Sequence, residues 1–289
     1  MGRTLYLECN SGISGDMTVG ALIDLGASMQ LLSEVLSTVN AEGFKVAYTR
    51  VKRAGLDCMD FDVILDEAHD GHDHDMEYLY GHINEHDHEH NYDHLHEHTP
   101  THEHVHEHEC HEKPHTHTHR GISDIFEIID KAAMTERAKA IAKKIFDILA
   151  EAESKAHGVP KDQVHFHEVG AVDSIVDVIA IAVCLDNLDI DKVIVPKLYE
   201  GQGTVRCQHG ILPVPVPAVT NIVSQHRIKL EILNVMGELV TPTGAATVAA
   251  IRTSDQLPKE FIIEKVGMGS GKRDYGLAGF LRAMIISEK

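Results

Sequence analysis

The chain has 289 residues, 43% of them hydrophobic and none of them Trp, and carries 26 Lys+Arg against 45 Asp+Glu for a formal charge of −19. That is enough apolar material for one large domain or two moderate ones, while the acidic balance, with no Lys/Arg stripe to displace phosphate counterions, excludes a nonspecific nucleic-acid binder. No stretch reaches about 18 uncharged apolar residues and no charged leader precedes an apolar block, so the expectation is a cytoplasmic protein with no membrane partner.

In chain order, Thr4-Leu5-Tyr6-Leu7-Glu8-Cys9 reads as a short strand, followed by Asn10-Ser11-Gly12-Ile13-Ser14-Gly15-Asp16-Met17 and a helix through Val19, Leu22, Ile23 and Leu25. Strand, glycine-containing turn, then helix is an arrangement in which backbone N–H groups and the helix dipole can hold a phosphate or carboxylate. Neither a P-loop nor a Rossmann spacing is present. Ser11 and Ser14 can donate to anion oxygens and Asp16 can ligate a metal, but Ser14 or Asp16 can equally cap the helix, and the local sequence leaves both readings open. A second helix is predicted through Leu31, Leu32, Val35, Leu36 and Val39, then extended segments near Phe44 to Lys52 and Met59 to Leu65. This alternation predicts an α/β fold, with mixed α+β as its variant.

Residues 69–120 interrupt that pattern. Eighteen of the 23 histidines lie between His69 and His119, interleaved with carboxylates. His82, His86, His88, His90, His94, His96, His98, His102, His104, His106 and His108 can offer overlapping imidazole pairs to one ion, and imidazole suits nickel, zinc and copper alike. With almost no apolar anchor and with Pro100 and Pro114 opposing regular structure, the tract is expected to be a disordered metal store or delivery arm rather than an active site. A solubilising acidic linker is the bland alternative. Cys110 lies among these histidines, whereas the other four cysteines, dispersed along the chain, are expected to be small buried hydrophobes. The core is thus predicted as two parts, 1–68 and 121–289, around the insertion; a long loop there is tolerable because closure entropy grows slowly with length.

Helices are predicted over Gly121 to Ala132 and Thr135 to His157. The densest folded-site candidate follows, His165-Phe166-His167-Glu168 and Asp173 to Asp177: His165 and His167 share a face if extended, and Asp173 and Asp177 share a helix face. Such a set can bind a divalent ion or move a proton, with Glu168 ligating or orienting an imidazole, or it can be a structural polar network. Ile190 to Pro196 reads as a strand, and Pro213, Pro215 and Pro217 then stiffen an extended path. Arg206 and His209 can face an anion there, unless Arg206 only makes surface ion pairs. Glu238 to Ala246 reads as a capped helix start in which Thr241 and Thr243 serve either an oxygen-rich ligand or the cap. The chain closes as strand, glycine loop (Gly267, Gly269, Gly271), strand, and that loop is a weak candidate anion cradle.

Taken together, LYLECNSGISGDMTVGALIDLGA, VHFHEVGAVDSIVD, GQGTVRCQHGILPVPVPA, GELVTPTGAA and VGMGSGKRDY, in this order over nearly the whole chain, resemble the LarC family of nickel insertion proteins. The family usually has Asp where this chain has Glu8, which weakens any metal role at that position. The resemblance implies insertion of nickel into pyridinium-3,5-bisthiocarboxylic acid mononucleotide, forming the nickel-pincer cofactor of lactate racemase at the expense of CTP, a lyase-class nickel chelatase activity. It implies that Ser11, Gly12, Ser14 and Gly15 hold phosphate, and that Asp16, His165, His167, Glu168 and Asp173 form or support the metal-transfer site. It further implies that CTP, with magnesium or manganese, binds a C-terminal part found in longer relatives, supplied either by a complementary fragment or by a longer product. Homo-oligomer formation and transient contact with cofactor-pathway proteins are the remaining partner expectations. The competing functions are a non-catalytic nickel metallochaperone or store and a metal-dependent nucleotide or phosphate-ester hydrolase.

Overall fold

The computed structural model describes residues 2–41, 43–66, 120–164, 166, 172–207 and 209–288. Residues 69–119 of the histidine-rich insertion, with every metal ligand expected there, lie outside the described residues.

Strand β1 (Arg3–Glu8) leads into helices α1 (Gly15–Asp24) and α2 (Met29–Leu36) and the hairpin β2 (Phe44–Arg53) and β3 (Leu56–Leu65). Helices α3 (Ile122–Lys131), α4 (Glu136–His157) and α5 (Val172–Asn187) follow, then β4 (Ile190–Ile194). The last part holds β5 (Leu198–Gln202), β6 (Thr204–Cys207), β7 (Gly210–Pro213), α6 (Pro217–Gln225), β8 (Leu230–Met236), α7 (Pro242–Ile251), β9 (Ile262–Ser270) and β10 (Phe280–Ser287). The fold is mixed α/β, built on a six-stranded sheet of order β2-β3-β9-β10-β1-β4. Within it β1 and β4 are parallel, while β1, β10 and β9 run antiparallel to one another in turn. A parallel pair β5-β8 and the hairpin β6-β7 stand apart from this sheet.

Local signals explain most element ends. Ser28 Oγ accepts from Leu31 N–H (3.2 Å) at the start of α2, and Thr135 Oγ1 accepts from Ala138 N–H (3.1 Å) at the start of α4. Gly158, in a left-handed conformation (φ 66°), terminates α4. Helix α5 is apolar on nearly every side, with Ile175, Val176, Val178, Ile179 and Ala180 fully buried, so it forms the central helix rather than a surface one. Its polar residues are confined to its two ends. One continuous core joins Leu5, Phe61, Ile125, Leu149, Val176 and Leu281, drawing on both sides of the insertion. On the opposite sheet face a smaller cluster of Ile194, Met284 and Ile286 is covered by Tyr6, Leu257 and Phe261.

The expected C-terminal glycine loop takes a different form. Gly267 and Gly269 are residues of β9, and their hydrogens face the backbone of α1: a Cβ on Gly269 would collide with the Met17 carbonyl, and one on Gly267 with that of Ala21. Gly20 answers from the helix side, meeting the Met59 carbonyl and Gly269 Cα. The alternating glycines serve a close helix-on-strand contact, and only the stretch after Gly271 is loop. This contact fixes the height of α1 over the sheet and so the place of its N-terminus. Gly269→Ala is expected to lower stability by about 1–3 kcal/mol through overpacking, read as a lower urea midpoint with an unchanged slope; an unchanged midpoint would show that α1 rides up without penalty.

Candidate functional site

The loop that precedes α1 is stitched to the one that precedes α7. Ile13 N–H donates to Leu239 C=O (2.9 Å), and Thr241 N–H donates back to Ile13 C=O (3.1 Å). Gly12 adopts φ 86°, and a Cβ there would overlap the Leu239 carbonyl, while one on Gly244 would overlap that of Ile13. Beneath this junction lies Glu200 of β5, fully buried. Its Oε1 accepts from Gly201 N–H (2.9 Å), Leu239 N–H (2.6 Å) and Val240 N–H (3.1 Å). Its Oε2 is buried with no hydrogen-bond partner among the described residues. Loss of solvation outweighs the three N–H donors, and the Glu200 carboxyl is pushed up to about 7.

These loops form one wall of a cavity of about 440 Å³. Ser11, Ser14, Gly15 and Asp16 line it from the turn into α1, Asp173 and Asp177 from the first turns of α5, and Arg206 and His209 from the β6-β7 hairpin. Thr241 and Thr243 line it from the start of α7, and Lys272 and Arg273 from the β9-β10 loop. Eleven of the residues singled out in the sequence therefore meet in one space, namely Ser11, Ser14, Gly15, Asp16, Asp173, Asp177, Arg206, His209, Thr241, Thr243 and Gly271. Gly12 is placed otherwise, behind the wall, where its positive φ lets the two loops touch. His165, His167 and Glu168 lie outside the described residues; on their flanks Val164 and Phe166 are anchored in the core, Phe166 in edge-to-face contact with Phe146. Among the described residues no group of three or more His, Cys, Asp or Glu side chains is arranged to hold a metal ion.

The capping alternatives resolve differently at the two helix starts. Thr241 is the N-cap of α7, its Oγ1 accepting from Gly244 N–H at 3.1 Å. Ser14 occupies the N-cap position of α1 but makes no side-chain cap; its Oγ donates to Asp16 Oδ1 instead. The first-turn N–H groups of α1 therefore have no side-chain cap at the cavity wall, with the positive end of the helix dipole behind them.

The cavity has an acidic side. A Cβ on Gly15 would collide with the Asp177 carboxylate, so only glycine lets α1 and α5 come this close. Asp177 shows part of its side chain to the cavity, but its Oδ1 is buried with no hydrogen-bond partner among the described residues. Burial, then the charges of Asp16 and Asp173, hold the Asp177 carboxyl well above the usual carboxylate range, and Lys272 only partly opposes them. The cations that line the cavity are braced. Lys272 Nζ lies 2.8 and 2.7 Å from the two oxygens of Asp60 and 3.3 Å from Asp62, and Arg273 pairs with Glu238 at 2.9 Å. Arg53 of β2 ties the loop down, donating to Ser270 Oγ (2.9 Å) and to the carbonyls of Gly271 and Lys272. Glu8 pairs with Arg282 on the sheet rather than facing the cavity.

Residues 5–289 match the family model described as nickel insertion protein. The chain is 49% identical over its whole length to the pyridinium-3,5-bisthiocarboxylic acid mononucleotide nickel insertion protein of Alkaliphilus metalliredigens, covering 61% of that protein. It is 43% identical to the protein of the same name from Clostridium acetobutylicum, over 99% of this chain and 64% of that one, and 35% identical to that of Acetivibrio thermocellus, over 99% and 61%. The chain thus spans about three fifths of the length of these relatives. No solved structure matches it. Among the described residues no helix is long and apolar enough to cross a membrane.

The raised Glu200 carboxyl has a signed consequence. Between its ordinary value of 4.5 and about 7 the unfolded chain has lost this proton while the folded chain keeps it. Its contribution is therefore full below 4.5 and is lost as pH rises through about 7. Glu200→Gln, which mimics the protonated form, should gain stability relative to the wild type across that window and no further above it. Paired urea titrations at several pH values check this, and a constant difference between the two proteins would refute it.

Proposed function

The chain belongs to the nickel insertion protein family, and from that premise we propose that it is the metal-handling part of a CTP-dependent enzyme that inserts nickel into pyridinium-3,5-bisthiocarboxylic acid mononucleotide. The observation that carries this reading is the meeting in one cavity of a carboxylate cluster, Asp16, Asp173 and Asp177, with the basic residues Arg206, Lys272 and Arg273 and the first turn of α1. Nickel and an anionic nucleotide need both kinds of group within one space.

In this reading the uncapped first turn of α1, with Ser11 and Ser14, takes the nucleotide phosphate, assisted by Arg206, and His209 and Thr243 line the remaining wall. Asp16 and Asp173, together with His165, His167 and Glu168 by their place in the motif, make up the metal-transfer set. Asp177 supplies the proton logic. Burial first, and then repulsion from Asp16 and Asp173, raise Asp177; a divalent cation beside those two aspartates opposes both and favours the ionised carboxyl while nickel is present. As nickel moves onto the two sulfurs and the ring carbon of the nucleotide, that positive charge leaves and Asp177 regains its affinity for a proton, which suits it to accept the one displaced from carbon.

The same geometry argues against CTP in this cavity. A triphosphate requires several uncommitted cations, and here Lys272 is paired with Asp60 and Asp62 and Arg273 with Glu238. Binding of CTP, with magnesium or manganese, is therefore assigned to the part of the longer relatives that this chain does not span, as a complementary fragment. The tract histidines raise the local supply of nickel by effective concentration.

The test combines the thiocarboxylated nucleotide, nickel and CTP with the 289-residue chain, with and without the complementary fragment, and reads the nickel product by mass. Product is expected only with both parts, and Asp177→Asn should slow its formation about a hundredfold or more while the fold is retained. No product from both parts, with the chain verified as nickel-loaded, would instead make it a non-catalytic carrier; CTP turnover by this chain alone would make it a hydrolase.

A further inference from the structure

At one rim of the cavity, four metal-ligating side chains from two elements and a turn come together. Glu153 and His157 stand one turn apart on the last turns of α4, with Glu153 Oε2 3.5 Å from His157 Nε2. Cys207 ends β6, and His209 sits in the turn into β7, with Cys207 Sγ 4.0 Å from His209 Nδ1. The two imidazoles join the pairs, their ring centroids 4.9 Å apart and tilted by 44°. Cys207 differs from Cys9, Cys58 and Cys184, which are buried, in being partly open to solvent.

We infer that Glu153, His157, Cys207 and His209 form a loading site that receives a divalent nickel ion at the cavity mouth. That nickel is its ion rests on the nickel-handling reading of the cavity; that a soft-to-borderline divalent cation binds here rests on the four side chains alone. Thiolate, imidazole and carboxylate together suit such an ion, and sulfur and nitrogen ligands on one ion stand about 3.5 Å apart. The Cys207–His209 separation of 4.0 Å needs only a small closure to reach that spacing. The position also favours a cation electrostatically, because α4 ends at His157 and its last carbonyls direct the negative end of the helix dipole there.

The site is not drawn up in advance, since no three such side chains among the described residues are already set around one point. It closes by side-chain rotation at a hairpin tip, where Gly210 has open space around it. Cys207 binds as the thiolate, its proton passing to solvent, so loading is favoured as pH rises. A site assembled in this way releases its ion more readily than a rigid tetrahedral cage, as a transfer station requires.

The experiment uses the full 289-residue chain carrying Cys110→Ser, so that the only thiol besides the buried Cys9, Cys58 and Cys184 is Cys207. Nickel chloride is added without nucleotide, and iodoacetamide labelling of Cys207 is followed by peptide mass beside the near-ultraviolet thiolate-to-nickel absorption. Labelling should slow about tenfold when free nickel is ten times its dissociation constant, and the absorption band should appear with it. His157→Gln and His209→Gln should each restore labelling and weaken the band, with far-ultraviolet circular dichroism unchanged. The tract histidines bind nickel as well but give no thiolate band. Labelling that is indifferent to nickel, or protection that survives removal of both imidazoles, would overturn the site. Absence of nickel product from the reconstituted enzyme, with Cys207 still protected by nickel, would overturn the functional reading alone.

Discussion

A carboxylate under a backbone junction organises this molecule. Loops 9–14 and 237–241 approach so closely that glycine is required at Gly12 and Gly244, and their mutual hydrogen bonds consume Ile13 and Leu239. That leaves the N–H groups of Leu239 and Val240 directed into a region closed to water, where unsatisfied donors would each be expensive. Glu200 Oε1 accepts both, together with Gly201 N–H. One side chain on β5 thus determines where α7 begins and, through Ile13, where α1 begins. Both helix starts are walls of the cavity, so its shape follows from a group that does not line it.

The second constraint is steric. Gly267, Gly269 and Gly20 bring α1 down on β9, and Gly15 lets the Asp177 carboxylate rest against the first turn of α1. Three aspartates at the meeting of two helices, with Asp177 partly desolvated, oppose one another. A fold selected only for stability would place an apolar side chain at Asp177, since the residues that follow it on α5, Val178 to Val183, are uniformly apolar. The surrounding packing instead holds repelling carboxyl groups together, the kind of local inconsistency that marks a functional site.

Much of this was legible before the fold was known, because periodicity and capping are local. The helix predicted over Thr135 to His157 is α4, and the capped helix start read within Glu238 to Ala246 is that of α7. The grouping of Ser11, Asp16 and Asp173 was available only through the family pattern, and their convergence with Arg206 and Thr243 was not legible at all, since nothing local brings segments more than a hundred residues apart to one space. Three features escaped. Alternating glycines read equally as a turn or as a close helix-strand contact, and only the partner helix decides between them. Glu200 follows a tyrosine in a short strand with no sign that its carboxyl faces inward. Cys207 was read by the habit of cysteines as a buried hydrophobe, whereas the hairpin leaves it partly open beside His209. His165, His167 and Glu168 belong to neither group, since they lie outside the described residues.

The two ends of the cavity differ in a way that would give the proposed transfer a direction. At the rim, soft and borderline donors stand on a helix C-terminus and a hairpin tip and are not yet assembled around a point. Deeper in, the groups are hard oxygen donors under mutual repulsion, at the uncapped N-terminus of α1 and the first turns of α5. A cation reaching the inner wall relieves that repulsion, which drives it inward from the rim. An ion bound there still has no thiolate, so two thiocarboxylate sulfurs offered by a nucleotide seated on the α1 amides would outcompete an oxygen wall for nickel. On the proposed function, each move of the metal would be favourable on its own electrostatic or ligand-preference grounds, and Asp177, relieved of the cation at the last move, would be left able to take up a proton.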